Sequence, residues 1–157
     1  MPFFENSDRD KLFVVRTDPD EILGTYSPHS ILLDQQLWPT VEHYYQAMKF
    51  APGKHFDKIL GAREPGVAAQ MGEGWFKPRQ RDWKVNRVTY MTRGFYTKCR
   101  TYQDVADALL DTGEKPIIER TLYDYFWGHG RDGRGHNQYG KLLMEVRDKL
   151  RDEQKQH

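Results

Sequence analysis

This chain of 157 residues contains a single cysteine, Cys99, and almost no net charge. One cysteine excludes an intramolecular disulfide and a cysteine-based zinc site, and it fits a reducing compartment. A formal net charge of +1 gives no global basic field for nucleic acid, although a local basic patch is compatible with it. No apolar run reaches membrane-spanning length, and the N-terminal stretch MPFFENSDRDK lacks the layout of a signal peptide. The sequence therefore predicts a cytoplasmic protein with no membrane partner.

The chain also lacks internal repeats, low-complexity blocks and flexible linkers. We therefore predict one domain over residues 1–151, followed by a disordered tail over 152–157. The six histidines show no HExxH or comparable spacing, so we expect no metal site. Aromatic residues, by contrast, make up 13% of the chain. That content allows stacking on a planar ligand, although core packing is the commoner use of such residues.

Turn signals and apolar periodicity divide the chain mainly into helices. Short strands are predicted around Leu12 to Val15 and Ile31 to Leu33, with a brief extended piece at 117–118. Helices are predicted over 40–51, 55–61, 65–71, 79–99 and 101–113, and after Gly140. Thr40 is the expected N-cap of the first helix, and 101-TYQD-104 has the form of a capping box. The predicted fold class is mainly α (α+β), a multihelical domain with a small β element near the N-terminus.

The stretch 38-WPTVEHYYQAMKF-50 places acid/base groups among bulky aromatics. At 100° per residue one face is apolar, and the opposite face collects Glu42, Tyr45, Gln46 and Lys49. An ordinary surface helix with a solvated polar side explains this pattern. The alternative is a reactive face, because aromatic walls would desolvate the carboxylate and the amine and adapt them to catalysis.

The segment from Glu119 to Arg147 contains five glycines between residues 128 and 140, with Arg131 and Arg134 among them. Such a loop before a helix can bring backbone amides close to a phosphate, and a structural turn with incidental arginines is the alternative. Asp124 is either a second active-site carboxylate or a helix-breaking cap.

Basic residues alternate with aromatic residues between positions 79 and 100. This pattern can grip nucleic acid, but a solvated basic helix face produces it more often. Cys99 has no evident base partner and is interpreted as a core residue.

Taken together, the two segments resemble the NADAR family of YbiA-like proteins. WPTVEHYYQAMKF is similar to the family's first block, and the second block is matched from Glu119 through Asp124, Trp127, the loop glycines and Asn137 to 142-LLMEVR-147. Between the blocks, 67-VAAQMG-72, Lys77-Pro78, Trp83, Met91 and Lys98 also match, so the resemblance covers about residues 26–148. The chain departs from the family at Ser27-Pro28-His29, where members carry Ser-Asn-Phe, and at His129, where an acidic residue is usual.

The resemblance implies a YbiA-like fold and an N-glycosidase that hydrolyses a phosphorylated riboside without a cofactor. One implied substrate is a phosphoribosylamino-pyrimidine intermediate of the riboflavin pathway. An alternative is removal of ADP-ribose from guanine, in a nucleotide or in modified nucleic acid. A further alternative is a non-catalytic module that binds ADP-ribose or a nucleotide.

Under this resemblance, a carboxylate must stabilise the positive charge that develops at the anomeric carbon. Glu42 is the first candidate and Asp124 the second. Lys49 is an alternative nucleophile that would attack the opened ribose as a Schiff base. The implied substrate ligands are Trp38, Tyr45 and Trp127 stacking on the base, Gln46, a phosphate site formed by Gly128, Arg131 and Arg134, and Asn137, which would fix the loop or bind the ribose.

Overall fold

A computed structural model describes residues 10–74 and 78–156. This part of the chain contains six helices and four short strands. The helices are α1 (Val41–Ala47), α2 (Lys54–Leu60), α3 (Pro65–Glu73), α4 (Trp83–Thr101), α5 (Gln103–Leu110) and α6 (Gln138–Lys155). The strands are β1 (Leu12–Val14), β2 (Ile31–Leu33), β3 (Gln36–Trp38) and β4 (Ile117–Glu119). The predicted mainly helical fold with a small β element is confirmed. Lys77, one of the residues matched to the family pattern, lies outside the described residues.

The described chain forms two compact units. The central unit comprises residues 25–74 and 78–102, and the terminal unit comprises residues 10–24 and 103–156. The central unit holds the hairpin β2–β3 and helices α1 to α4, and the terminal unit holds β1, β4, α5 and α6. The stretch WPTVEHYYQAMKF therefore lies in the central unit, and the Gly-rich loop lies in the terminal unit.

In the central unit, β2 and β3 form an antiparallel hairpin that leads directly into α1. Ile31 pairs with Trp38 across this hairpin. The turn residues Asp34 and Gln35 adopt positive φ angles of 55° and 63°, which is the left-handed region that tight hairpin turns require. Thr40 then caps α1 as predicted, because its side chain accepts a hydrogen bond from the backbone amide of His43.

Helix α4 forms one wall of the central unit and packs closely against α1. A Cβ at Gly94 would lie 2.9 Å from Val41 Cγ1 and 3.1 Å from Tyr44 Cδ1, so the absence of a side chain lets the two helices approach. The rings of Trp38, Tyr44 and Phe56 make edge contacts in the same core. These contacts hold α1 at its position in the unit.

In the terminal unit, β1 and β4 pair in parallel, with Leu12 opposite Ile117. Helix α6 contributes Leu142, Leu143 and Val146 to the buried core, as its apolar stripe predicts. The Tyr139 hydroxyl donates to the Leu23 carbonyl at 2.6 Å and so anchors the start of α6.

Several expected helix boundaries differ from the structure. Thr101 does not open α5, because it ends α4 and its hydroxyl donates to the Thr97 carbonyl at 2.7 Å; the capping-box prediction is therefore wrong. The predicted first helix is also too long, since α1 ends at Ala47 and Met48 is its C-cap. Helix α6 continues to Lys155, four residues into the expected tail, because Glu, Gln and Lys are good helix formers.

Within residues 10–74 and 78–156, no helix is both long and apolar enough to cross a membrane.

Candidate active site

Every residue of α1 is buried, including those of its polar face. Glu42 has 0% of its surface exposed, Gln46 2%, and Lys49, just after the helix, 7%. The interpretation of α1 as an ordinary surface helix is therefore wrong. Burial of charged groups is costly unless other groups or a ligand offset it, so this polar face is not a solvated surface.

The start of α1 is held by a backbone hydrogen bond of Glu42 and by side-chain contacts of His43. The Glu42 backbone amide donates to the Thr25 carbonyl at 3.1 Å. The neighbouring His43 donates from Nε2 to the Ala62 carbonyl at 2.9 Å, and its Nδ1 lies 2.8 Å from Thr40 Oγ1. Burial lowers the pKa of His43, and this effect outweighs the opposing effects of the Ala62 hydrogen bond and the Glu42 carboxylate. The imidazole beside Glu42 is thus kept neutral near neutral pH.

Lys49 lies between a backbone acceptor and two aromatic rings. Its Nζ donates to the Gly72 carbonyl at 3.4 Å, and Arg79 Nη2 donates to the same carbonyl at 3.0 Å. The ammonium also lies 5.4 Å from the ring centroid of Tyr45 and 5.9 Å from that of Trp83. Rings at these distances stabilise a cation that has lost part of its hydration. The predicted wall of aromatics around this amine is therefore present, with Trp83 as a member that the helix pattern did not identify.

Gln80 fixes the chain at Lys49. Its backbone amide donates to the Lys49 carbonyl at 2.6 Å, and its side chain donates to the carbonyls of Met48 and Phe50 at 2.8 and 3.1 Å. These carbonyls belong to the end of α1, where no further helical turn is available to satisfy them. Gln80 thus acts as a C-terminal cap from outside the helix and holds the Lys49 backbone in place.

Gln46 presents a buried acceptor toward α3. Among the described residues its Oε1 has no hydrogen-bond partner, although the side chain is buried. It packs directly on Gly72, where a Cβ would approach Oε1 to 1.9 Å. Buried acceptors are normally satisfied, and those left over in a native structure often mark a ligand position. Gln46 therefore suits its predicted role as a substrate ligand.

Trp38 is buried in the core, whereas its predicted role of stacking on a base requires an accessible ring face. The side chain is 1% exposed, its Nε1 donates to the Leu33 carbonyl at 3.1 Å, and its ring meets Tyr44 and Phe56 edge-on. These contacts make Trp38 a core residue that supports α1. Of the aromatic residues expected to stack on a base, Tyr45 is the one placed beside Lys49.

In the terminal unit, Asp124 caps a turn. Its Oδ1 accepts hydrogen bonds from the backbone amides of Phe126 and Trp127 at 3.1 and 2.8 Å, and its Oδ2 lies 3.8 Å from Arg16 Nη2. Of the two interpretations that the sequence left open for Asp124, the geometry fits the cap. Trp127, the residue this turn positions, is buried and meets Phe126 edge-on at 4.7 Å.

Asn137 fixes the Gly-rich loop to β4. Its side chain accepts from the Glu119 amide at 2.8 Å and donates to the Ile117 carbonyl at 3.0 Å, so both ends of its carboxamide are engaged. Its φ of 51° is left-handed, a conformation that asparagine tolerates better than most residues. Asn137 thus takes the loop-fixing role, which was one of its two predicted roles.

The backbone amides of the loop are largely used within the loop and its neighbours. Gly135 donates to the His129 carbonyl and Asn137 to the Gly128 carbonyl. Gly128 is packed so closely that a Cβ would lie 2.6 Å from Glu119 Oε1, and Glu119 itself is fully buried. Arg131 and Arg134 are exposed, and Arg134 Nε lies 3.8 Å from Asp132 Oδ2. Arg131 and Arg134 are therefore more accessible to an anion than the internally bonded amides are.

A cavity of about 220 Å³ lies in the terminal unit beside the loop. Its lining consists of Lys11, Phe13, Ile118, His129 and Gly133. Lys11 and His129 bring nitrogen donors to this cavity, and the positive φ of Gly133, 76°, shapes the backbone next to it.

A buried polar cluster in the central unit includes residues that the sequence singled out only as a departure from the family pattern. Lys98 Nζ donates to Ser27 Oγ at 2.6 Å, and Ser27 Oγ lies 2.8 Å from His29 Nδ1. Lys98 and Ser27 are 0% and 3% exposed. The signal that could have found this cluster is the change of the family's Ser-Asn-Phe to Ser27-Pro28-His29.

The contacts of Cys99 and of the basic residues of α4 fit structural roles. Burial raises the pKa of the Cys99 thiol to about 12, which fits its interpretation as a core residue rather than a nucleophile. The basic run of α4 is not one solvated stripe, since Lys98 is buried and Arg93 makes two hydrogen bonds with Asp34 at 2.7 and 3.1 Å. Within the described residues, no three histidine, cysteine, aspartate or glutamate side chains form a cluster that could hold a metal ion.

Comparisons with known proteins agree with these features. The NADAR domain pattern matches residues 3–151. The chain is 36% identical to an N-glycosidase of Nostoc punctiforme, covering 85% of this chain and 87% of that protein. It is also 36% identical to the N-glycosidase YbiA of Escherichia coli, covering 81% and 79%. The NMR structure of YbiA superposes with a TM-score of 0.84 at 31% identity, covering 94% of this chain and 89% of that one.

A riboflavin biosynthesis protein of Vibrio vulnificus is 35% identical over 86% of this chain and 38% of its own length. The similarities define the chain as an enzyme of the N-glycosidase class. It belongs to the NADAR family.

Proposed function

We propose that this enzyme hydrolyses the C–N glycosidic bond of a phosphorylated riboside, such as a phosphoribosylamino-pyrimidine intermediate of the riboflavin pathway. The observation that carries the proposal is the fully buried Glu42 on a helix face that also holds Gln46 and Lys49. The name of the Vibrio vulnificus relative, a riboflavin biosynthesis protein, supports the choice of pathway.

Cleavage of this bond builds positive charge on the anomeric carbon and the ring oxygen of the ribose. The Glu42 carboxylate stabilises that charge best because, with 0% exposure, it is shielded from bulk water. One water molecule adds its oxygen to the anomeric carbon, and a proton passes to the leaving nitrogen. The products are ribose 5-phosphate and the free amine, and no cofactor is required for this step.

Lys49 has two roles open to it on this face. As an ammonium beside Tyr45 and Trp83, it can donate hydrogen bonds to an oxygen of the ribose. As a neutral amine, it can add to C1 of the ring-opened substrate, in which C1 forms an imine with the base nitrogen. The bond from C1 to that nitrogen then breaks, the protonated nitrogen leaves as the free amine, and one water molecule hydrolyses the resulting lysine Schiff base to ribose 5-phosphate. Arg79 donates to the same Gly72 carbonyl as Lys49 and so lies next to the amine in both roles.

Within the terminal unit, Arg131 and Arg134 of the Gly-rich loop are the residues suited to binding a phosphate. Both side chains are exposed and able to meet a dianion. Gly128 and Asn137 hold the loop in place. Gly128 packs against the Glu119 side chain. The Asn137 side chain bonds the Glu119 amide and the Ile117 carbonyl.

A panel of substrates tests the proposal with the wild-type enzyme. We expect release of ribose 5-phosphate from a phosphoribosylamino-pyrimidine well above the uncatalysed rate. ADP-ribosylated guanosine and ADP-ribosylated DNA serve as comparison substrates, with free ADP-ribose as the product to be measured. Turnover of the ADP-ribosylated substrates combined with background rates on the pyrimidine would contradict the proposed substrate.

A further inference from the structure

The central unit contains a pocket next to the start of α4, and none of the predicted site residues lines it. Its volume is about 280 Å³. Its lining consists of Gln80, Arg81, Asp82, Trp83, Asn86 and Tyr90, and we call it the Trp83 pocket. The volume lies at the lower limit for small-molecule sites, so the pocket suits one ring system rather than a whole dinucleotide.

Two parallel rings form the wall of the Trp83 pocket. Trp83 and Tyr90 are seven residues apart on α4 and therefore lie on the same face, two turns apart. Their ring centroids are separated by 5.7 Å with an interplanar angle of 13°, so the two rings stack on each other. A flat ligand would stack on an outer face of this pair, and Tyr90 is the more exposed of the two rings.

The polar groups of the pocket complement the edge of a heterocycle. The Asp82 carboxylate accepts hydrogen bonds, the Arg81 guanidinium donates them, and the Asn86 carboxamide does both. Nitrogen heterocycles such as pyrimidines and purines carry N–H donors and carbonyl or ring-nitrogen acceptors side by side. A sugar phosphate alone would use the arginine but would gain little from the parallel rings.

The wall of the pocket continues into the candidate active site. The Trp83 ring that lines the pocket lies 5.1 Å from the Tyr45 ring and 5.9 Å from Lys49 Nζ. Gln80, another lining residue, binds the Lys49 carbonyl at 2.6 Å. The Trp83 side chain therefore contributes both to the pocket and to the surroundings of Lys49.

We propose that the Trp83 pocket binds the planar nitrogen heterocycle that leaves when the glycosidic bond breaks. This inference rests on the proposed function, since it names the part of the enzyme that recognises the leaving group. Stacking on the outer face of Tyr90 provides affinity for any flat base, and the hydrogen bonds of Asp82 and Asn86 distinguish one base from another.

Binding measurements test the inference without requiring turnover. Uracil, guanine and ribose 5-phosphate are titrated by calorimetry into the wild-type protein and into the variants Asn86→Ala and Tyr90→Leu. Asn86 is half-buried, so its loss leaves a base group without its hydrogen bond. We expect each variant to weaken the binding of at least one base about tenfold or more, which corresponds to the loss of roughly one good hydrogen bond or stacking contact. The affinity for ribose 5-phosphate should not change.

Lys84→Ala is the matched control, because Lys84 is an exposed residue of α4 that does not line the pocket. Its base affinity should equal that of the wild type, and the thermal unfolding temperature of each variant verifies that the protein is folded. Base binding that is undetectable at millimolar concentration, or that is unchanged in both pocket variants, would overturn the inference. Weakened binding of ribose 5-phosphate instead of the bases would also overturn it and assign the pocket to the phosphate.

The outcome for the proposed function is separate. If the wild-type enzyme cleaves no riboside but binds a base in an Asn86-dependent way, the proposed function fails and the binding site stands. If the enzyme cleaves ribosides and its base affinity does not depend on Asn86 or Tyr90, the function stands and the assignment of this pocket fails.

Discussion

The polar residues of α1 and those of the Gly-rich loop come from equally specific sequence patterns, yet their contacts differ in kind. On α1, Gln46 Oε1 is buried without a hydrogen-bond partner among the described residues. Just after the helix, Lys49 Nζ donates to the Gly72 carbonyl at 3.4 Å. In the terminal unit, the Asp124 side chain accepts from the backbone amides of Phe126 and Trp127, and the Asn137 side chain bonds the backbone of β4. Gln46 Oε1 therefore has capacity for a ligand, whereas the Asp124 and Asn137 side chains are engaged in local structure.

Within one family pattern, this difference distinguishes a side chain with an unused polar atom from side chains that bond the backbone. Replacing a residue whose side chain bonds the backbone is expected to lower stability. Replacing a residue that has an unused hydrogen-bonding atom is expected to lower activity. We therefore expect the α1 face and the loop to respond differently to substitution.

After substitution of Glu42, substitution of Lys49 is expected to cause the largest loss of activity. Lys49→Met removes the amine from the aromatic wall and should lower kcat/KM by about 100-fold or more, whichever of its two roles applies. Lys49→Arg separates these roles, because it preserves the charge but cannot form a Schiff base. Steady-state kinetics on the pyrimidine substrate measure both variants. A Lys49→Met enzyme within about threefold of wild type would remove Lys49 from the site.

A smaller loss of activity is expected from Gly72→Ala. The new Cβ would lie 1.9 Å from Gln46 Oε1 and 2.7 Å from its Cδ, so the carboxamide must move. We expect kcat/KM to fall by about tenfold, the value of one misplaced hydrogen bond. Gly74→Ala is the control in the same segment, since its Cβ would meet no atom closer than Met71 O at 3.6 Å. Equal activity of the two variants would contradict a ligand role for Gln46.

In the loop, Asn137→Ala should reduce stability instead. The substitution deletes hydrogen bonds to Glu119 N and Ile117 O and places alanine at a left-handed φ of 51°. We expect a decrease of about 2–4 kcal/mol in the free energy of unfolding, measured in urea. The kcat of the folded enzyme should remain within about threefold of wild type. A large drop in kcat with unchanged stability would instead give Asn137 the ribose-binding role.

Asp124 allows a sharper comparison because asparagine can also cap the turn. Asp124→Ala should lower the free energy of unfolding by about 0.5–2 kcal/mol, the usual cost of losing such a cap, and Asp124→Asn should cost less. Both should keep kcat close to wild type. If Asp124→Asn retained full stability but lost activity by about 100-fold, Asp124 would be a catalytic carboxylate after all.

The smallest effect concerns His43 and pH. Because burial lowers its pKa in the folded protein below the usual 6.5, the unfolded chain binds the additional proton first as the pH falls. The folded state should therefore lose stability as the pH falls below about 6.5, until the lowered folded-state pKa is passed. Urea unfolding at several pH values should show this slope in the wild type, and His43→Gln should show a smaller one. Identical slopes would mean that His43 does not titrate differently in the folded state.

The sequence predicted α1 well because a threonine cap and two clear faces lie within ten residues. It could not show that the polar face is buried, since that depends on packing by α3 and α4, elements distant in sequence. Thr101 shows the reverse error: a correct local capping motif was overridden because α4 continues through it. The hairpin strand Gln36–Trp38 was missed because its Asp34-Gln35 turn contains no glycine to signal positive φ.

Among the site residues, Trp38 and Trp83 show the same limit. Both are tryptophans near basic or acidic side chains in the sequence, and composition alone does not distinguish them. Only the three-dimensional contacts place Trp38 in the core and Trp83 beside Lys49.

The rate of ribose 5-phosphate release by Glu42→Gln, under single-turnover conditions with a phosphoribosylamino-pyrimidine, tests the central claim most directly. Glutamine preserves the size of the side chain but removes the charge that would stabilise the anomeric carbon. We predict a rate at least about 100-fold below wild type, with an unchanged thermal unfolding temperature and with the exposed Glu73→Gln as the active control. A Glu42→Gln enzyme that releases ribose 5-phosphate at the wild-type rate would contradict the account.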